Sequence, residues 1–205
     1  MINLASRFQA VVSNFSKDAR QIAACWHELE TAYNAPGRHY HTLQHIEQMH
    51  AALDEVKEAC ADLEAIQLAI FYHDIVYDAQ RKDNEAQSAM VAHKRLTALG
   101  FKDADKVAAL ILATQKHERS DDKDTNYLLD LDLGILGAAW PQYQEYAQQV
   151  REEYRMYPDA VYKPGRVQVL RHFLNAAYIF KTDYFYHKLE AQARINLQNE
   201  IACLS

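Results

Sequence analysis

Apolar residues recur three or four positions apart along nearly the whole chain, and strict alternation is hard to find, so the pattern predicts helices from end to end. Leu4, Phe8, Val11, Val12 and Phe15 mark a first helix. Ile22, Ala23, Trp26, Leu29 and Tyr33 mark a second, before Pro36-Gly37 breaks the pattern. A third helix runs from about residue 42 to 59 on Leu43, Ile46, Met49, Leu53 and Val56. The fourth, from about residue 63 to 77, is apolar almost all round, which places it in the middle of a bundle. A fifth carries Ala89, Ala92, Leu96 and Leu99 and stops at Gly100, a residue suited to a left-handed cap. Asp103 can cap the sixth, whose stripe is Val107, Leu110, Ile111 and Thr114. A charged loop leads to a seventh helix over about 127 to 138, and Pro141 opens an eighth with Tyr143, Tyr146, Val150, Tyr154 and Tyr157. Pro158 and a Lys163-Pro164-Gly165 turn precede a ninth on Val169, Leu170, Phe173 and Ala177, and a last helix covers about 184 to 204. The expectation is an all-α bundle of about nine or ten helices, with residues 1–205 as a single domain.

Composition narrows the class. With 205 residues, 49% hydrophobic and 24% charged, the chain is long enough to bury a sizeable core. Its longest apolar stretch is interrupted by His73 and Asp74 and falls well short of the roughly 20 residues a membrane helix needs. The first residues lack the basic start and small-residue site of a secretory signal, so the expected location is the cytoplasm. Three cysteines without a C-x-x-C pair point to neither a disulfide framework nor a thiolate zinc site. A formal charge of -6, with no run of lysine or arginine, speaks against a nucleic-acid polymer as partner. Ten histidines beside only five glycines and four prolines are the unusual feature, and they need a chemical explanation.

Placing polar residues on the helices at about 100° per residue identifies candidates. On the fourth helix His73 and Asp74 flank the arc of Ile66, Ile70 and Tyr77, so both are expected to face inward. An unpaired buried carboxylate costs several kcal/mol, which predicts a cation near Asp74. On the seventh helix the face of Leu128, Leu129, Ile135 and Leu136 includes Asp132 and leaves Asp130 roughly opposite, so Asp132 is expected to be the inward carboxylate. His45 borders the stripe of the third helix, and His117, one heptad after Leu110, is placed on the core face of the sixth. One divalent cation would satisfy His45, His73, Asp74 and Asp132 together. Two imidazoles and two carboxylates suit manganese, iron, cobalt, nickel or zinc, with magnesium also admissible, and leave positions open for water or substrate oxygen. Taken singly, each has an ordinary alternative: His45 or His117 as a hydrogen-bonded core histidine, Asp132 as the partner of Arg38 or Arg151.

The order His45, the His73-Asp74 doublet and then Asp132 resembles the H…HD…D pattern of the HD-domain superfamily of metal-dependent phosphohydrolases. The surroundings are similar to a small bacterial branch of predicted HD phosphohydrolases. The segments that carry this likeness are Pro36-Gly37-Arg38-His39-Tyr40-His41 with Ile46, Phe71 to Asp78, Asp83-Asn84-Glu85 with Ser88-Ala89, Ala113-Thr114 with His117, Leu129 to Leu133 with Ile135-Leu136-Gly137, Arg151 with Glu153-Tyr154, and Ala193-Arg194 with Asn196-Leu197 and Glu200. The resemblance implies a helical bundle around a metal held by His45, His73, Asp74 and Asp132, and hydrolysis of a phosphate ester or anhydride in a small molecule, a nucleotide foremost. It implies for His117 a second metal or the substrate phosphate. His93 departs from the branch, where a small residue is expected. It reads as an exposed helix residue beside Lys94 and Arg95, with a second metal shared with His117 as the alternative.

Arg38, His41, His117 and Lys116 are the nearest candidates to hold phosphate oxygens, arginine because its planar fork grips phosphate bidentately. Asp78, Asn84 and Glu85 follow the metal helix closely and are candidates for a pocket mouth or for orienting a ligand histidine, with a capped helix start as the plain alternative for Asn84 and Glu85. The tyrosines of the eighth helix read as core, and Arg151, Arg166 and Arg194 as phosphate contacts or structural ion pairs without distinction. The expected partner is a small phosphorylated substrate, with no membrane and with room for an oligomer. Two rival readings remain: a di-iron oxygenase on the same scaffold using His93 and His117, and a ligand sensor without turnover in which the metal staples helices together.

Overall fold

The computed structural model describes residues 3–204, and among them there are ten α-helices and no strand. In chain order they are α1 (Leu4–Val12), α2 (Ala19–Tyr33), α3 (Leu43–Val56), α4 (Leu63–Tyr72), α5 (Asn84–Leu99), α6 (Ala104–Ala113), α7 (Lys123–Asp132), α8 (Trp140–Glu153), α9 (Asp159–Asn175) and α10 (Asp183–Leu204). Short 3-10 turns follow α3 and α7. None of the described helices is long and apolar enough to cross a membrane. The helices group into two compact units, Met1–Leu128 and Leu129–Ser205.

In the first unit α4 is the central element, packed against α1, α3, α5 and α6. Its composition dictates this position: Ala65, Ile66, Leu68, Ala69, Ile70, Phe71 and Tyr72 are all buried, and only Leu63, Glu64 and Gln67 remain half-buried. Phe8 of α1 meets the Phe71 ring edge-on at 5.2 Å. Asp62 caps α4 through the Ala65 N–H, and the buried Asp124 carboxylate accepts the N–H groups of Ala61 and Asp62 and an ion pair from Lys106. Gly100 ends α5 with φ 90°, the left-handed conformation that glycine adopts without a steric penalty. Asp103 occupies the cap position of α6 but makes no side-chain capping bond.

The second unit is built on α10, which packs against α8, α9 and the 3-10 turn Leu133–Gly137. At Gly137 a Cβ would lie 2.5 Å from Leu189 Cβ, so only glycine lets this turn sit on the helix. Asn196, fully buried, donates to the oxygens of Leu136 and Ala138. Under α8 and α9, the Glu200 carboxylate accepts from Tyr143 and pairs with Arg166, whose guanidinium also lies over the Tyr146 ring. Tyr143 is thus a core residue, as its spacing predicts.

Several boundaries differ from the periodicity reading. The expected break at Pro164-Gly165 is absent, because α9 starts at Asp159 and carries Pro164 within it. Tyr154 and Tyr157 lie beyond the end of α8. Most consequential, α4 stops at Tyr72, so His73 and Asp74 form its C-terminal turn rather than its last full turn.

Candidate metal centre

The turn after α4 is shaped by residues distant in sequence. Tyr33, buried on α2, donates its hydroxyl proton to the Phe71 oxygen at 3.0 Å and accepts the Asp74 N–H at 3.3 Å. Arg38 donates to the oxygens of Asp74 at 2.7 Å, Ile75 at 2.9 Å and His41 at 3.1 Å. Its guanidinium lies over the rings of Tyr33 and Tyr77. On the far side, Ser88 of α5 accepts the Val76 N–H and donates to the Val76 oxygen. Main-chain groups that would otherwise extend α4 are thereby paired with side chains, and the helix ends where it does. Thr42 then caps α3 through the Gln44 N–H, which sets His45 on the first turn of that helix.

These constraints bring three ligand atoms together. His45 Nε2 stands 3.3 Å from His73 Nε2, and His73 Nε2 stands 3.0 Å from Asp74 Oδ2. One ligand atom each from His45, His73 and Asp74 lies within 4.8 Å of the others, with both imidazoles buried and the carboxylate half-buried. The tautomer of His73 follows from its surroundings. Its Nδ1 faces the Ile70 oxygen at 2.9 Å, and a carbonyl only accepts, so Nδ1 carries a proton, and in the neutral ring Nε2 then presents a lone pair. Lone pairs of two imidazoles and a carboxylate oxygen converging in a low-dielectric interior repel one another unless a positive charge lies among them. The donor set therefore fits a divalent transition-metal ion: imidazole and carboxylate ligands of borderline character, three from the protein, with further positions open.

His41 adjoins this group. Its Nε2 is 4.0 Å from Asp74 Oδ2, its ring stacks on Tyr77 with centroids 4.0 Å apart, and it is partly open to solvent. Tyr40, buried beside it, places its hydroxyl 3.1 Å from His45 Nδ1. The sequence reading did not single out Tyr33 or Tyr40. Tyr33 belongs to the apolar stripe of the second helix and Tyr40 to a segment that carries the family likeness, and neither position by itself marks a site residue, since aromatic residues there also fill ordinary cores.

Several sequence-predicted site residues stand elsewhere than expected. Arg38 is engaged by main-chain oxygens and two aromatic faces, which makes it a brace for the turn rather than a free phosphate fork. His117 is not on the core face of a helix, because α6 ends at Ala113 and His117 follows it in the left-handed region with φ 51°, half-buried. Lys116 is exposed. Asp78 and Asn84 bond to each other, Asp78 N–H to the Asn84 side-chain oxygen and the Asn84 amide to the Asp78 oxygen, closing the loop before α5. Glu85 follows in the first turn of α5, half-buried. His93 is 47% exposed and meets Asp105 at 3.0 Å, a surface pair that matches its reading as a solvated helix residue.

Within the second unit, the face assignment on α7 is reversed. Asp130 is fully buried, and its carboxylate accepts the N–H groups of Lys181 and Thr182 and the Thr182 hydroxyl, while Asp132 is half-buried. Burial pushes the Asp130 carboxyl above the usual range against the pull of those hydrogen bonds. The periodicity argument failed because α7 ends at Asp132 and gives way to a 3-10 turn, so Ile135 and Leu136 do not continue its face. Lys181 is pushed below the usual lysine range by burial, although the charges of Asp130, Asp132 and Glu190 oppose that shift. Arg151 pairs with Asp159, Arg166 with Glu200 and Arg194 with Glu190, so all three arginines tie helices and loops together.

No protein-family model, curated protein or solved structure matches this chain.

Proposed function

We propose that the protein is a metal-dependent phosphohydrolase of the HD type, acting on a small phosphorylated molecule, a nucleotide foremost. The observation that carries this reading is the convergence of His45 Nε2, His73 Nε2 and Asp74 Oδ2, two buried imidazoles and a half-buried carboxylate. His45, His73 and Asp74 would hold the cation. The chemistry such a cation supplies is a lowering of the pKa of water toward about 7 and withdrawal of charge from a phosphoryl oxygen. Asp74 neutralises part of the charge and orients toward the centre because Tyr33 and Arg38 fix its main chain. His41, partly solvent-exposed and stacked on Tyr77, offers a ring N–H to a substrate oxygen beside the centre.

Two imidazoles with one carboxylate are also the donor set of iron oxygenases, which keeps oxygen chemistry as the second reading. The surface pairing of His93 with Asp105 weighs against the version that uses His93 for a second iron. Phosphate release, screened over nucleotides and sugar phosphates with protein loaded with manganese, cobalt or zinc, tests the proposal. Turnover by the wild type and its loss in Asp74→Ala is the expected result. Release that survives in Asp74→Ala, or oxygen uptake by the iron-loaded protein without phosphate release, overturns it.

A further inference from the structure

We infer that Tyr40 is a positioning residue that turns the His45 ring so that Nε2 presents its lone pair to the cation, an inference that rests on the metal-binding reading above. Tyr40 is 8% exposed, its hydroxyl lies 3.1 Å from His45 Nδ1, and its ring packs against the His45 ring with centroids 4.9 Å apart. When His45 Nε2 offers its lone pair, the proton of the neutral imidazole resides on Nδ1, and the phenol oxygen accepts it. Ligand histidines usually direct their second nitrogen at a carboxylate or a main-chain oxygen, groups that only accept. His73 follows that habit, with Nδ1 on the Ile70 oxygen.

A phenol differs because its hydroxyl both donates and accepts. The Tyr40 to His45 bond therefore survives with the proton on either ring nitrogen, whereas the Ile70 carbonyl fixes His73 in one form. The two imidazoles of the centre thus have unlike supports, a main-chain oxygen for His73 and a phenol for His45. The contact also has a local origin. Tyr40 lies two residues before Thr42, the cap of α3, and its main-chain oxygen accepts the Thr42 N–H at 2.8 Å, so the turn that starts the helix also aims the phenol at its first histidine.

The test is a chelator competition for zinc and cobalt with wild type and Tyr40→Phe, run together with thermal melts of the metal-free proteins. Affinity in Tyr40→Phe about 10- to 100-fold weaker, at an apo melting temperature close to wild type, is the expected result. Equal affinities overturn the inference and leave the metal-binding reading standing. Failure of the wild type to bind either ion overturns both. Should Tyr40→Phe fold poorly, nitrogen-15 histidine spectra of zinc-loaded wild type decide the matter. The His45 ring must show a protonated Nδ1 and a metal-bound Nε2, and the reverse assignment excludes the role given to Tyr40.

Discussion

The Arg38 guanidinium holds the main-chain oxygen of Asp74 at 2.7 Å, so a cation that the sequence offers to phosphate instead fixes the carboxylate of the candidate metal centre. Arg38→Ala removes three hydrogen bonds from a charged donor to part-buried oxygens, at a cost on the order of 2–4 kcal/mol. The expected result is a fall in unfolding free energy and in zinc affinity together, measured by urea titration and chelator competition. A rise in KM alone, with stability and metal affinity intact, would return Arg38 to the phosphate-binding role.

His50 gives the first unit a specific pH response. Its ring is fully buried against Phe71 at 4.4 Å, neither nitrogen has a hydrogen-bond partner, and burial, assisted by the nearby charge of Arg7, pushes its pKa down to about 3. The folded protein keeps His50 neutral where the unfolded chain, near 6.5, binds a proton. Its contribution is therefore whole above about pH 6.5 and is lost as the pH falls toward about 3, at up to ~1.4 kcal/mol per pH unit. His50→Leu should flatten the stability profile between pH 6 and pH 4 relative to wild type. Parallel profiles for the two proteins in urea titrations would show that His50 is charged or solvated in the native state.

Asp130 and Asp132 separate by stability. Asp130→Ala leaves the part-buried N–H groups of Lys181 and Thr182 and the Thr182 hydroxyl without their acceptor, a loss of about 3 kcal/mol. Asp132→Ala, at a half-buried position, should cost clearly less. Denaturant midpoints of the two variants check the order, and a larger loss for Asp132→Ala would restore the face predicted from periodicity.

Much of this architecture is legible in the sequence, and the remainder is hidden for identifiable reasons. Spacing of apolar residues finds the helices because each buries one stripe, and α4, apolar on all sides, is placed correctly at the centre of its unit. His45, His73 and Asp74 stand out because polar groups on apolar faces require partners, and the three do meet. The end of α4 is not legible, since it is set by Tyr33 and Arg38 from other segments. The Asp130 assignment fails because a 3-10 turn changes the angular step within one apolar run. His50 escapes notice because it sits between Met49 and Leu53, where a buried neutral imidazole leaves no trace in the pattern.

Metal analysis of purified protein decides whether His45, His73 and Asp74 bind one cation. Wild type and the His45→Ala/His73→Ala double variant are each equilibrated with zinc, passed through a desalting column and assayed for metal per chain. Close to one zinc per chain in the wild type, and close to none in the folded double variant, is the predicted result. A wild type that emerges without metal, or a double variant that keeps its full complement, rules out a metal centre at these three residues.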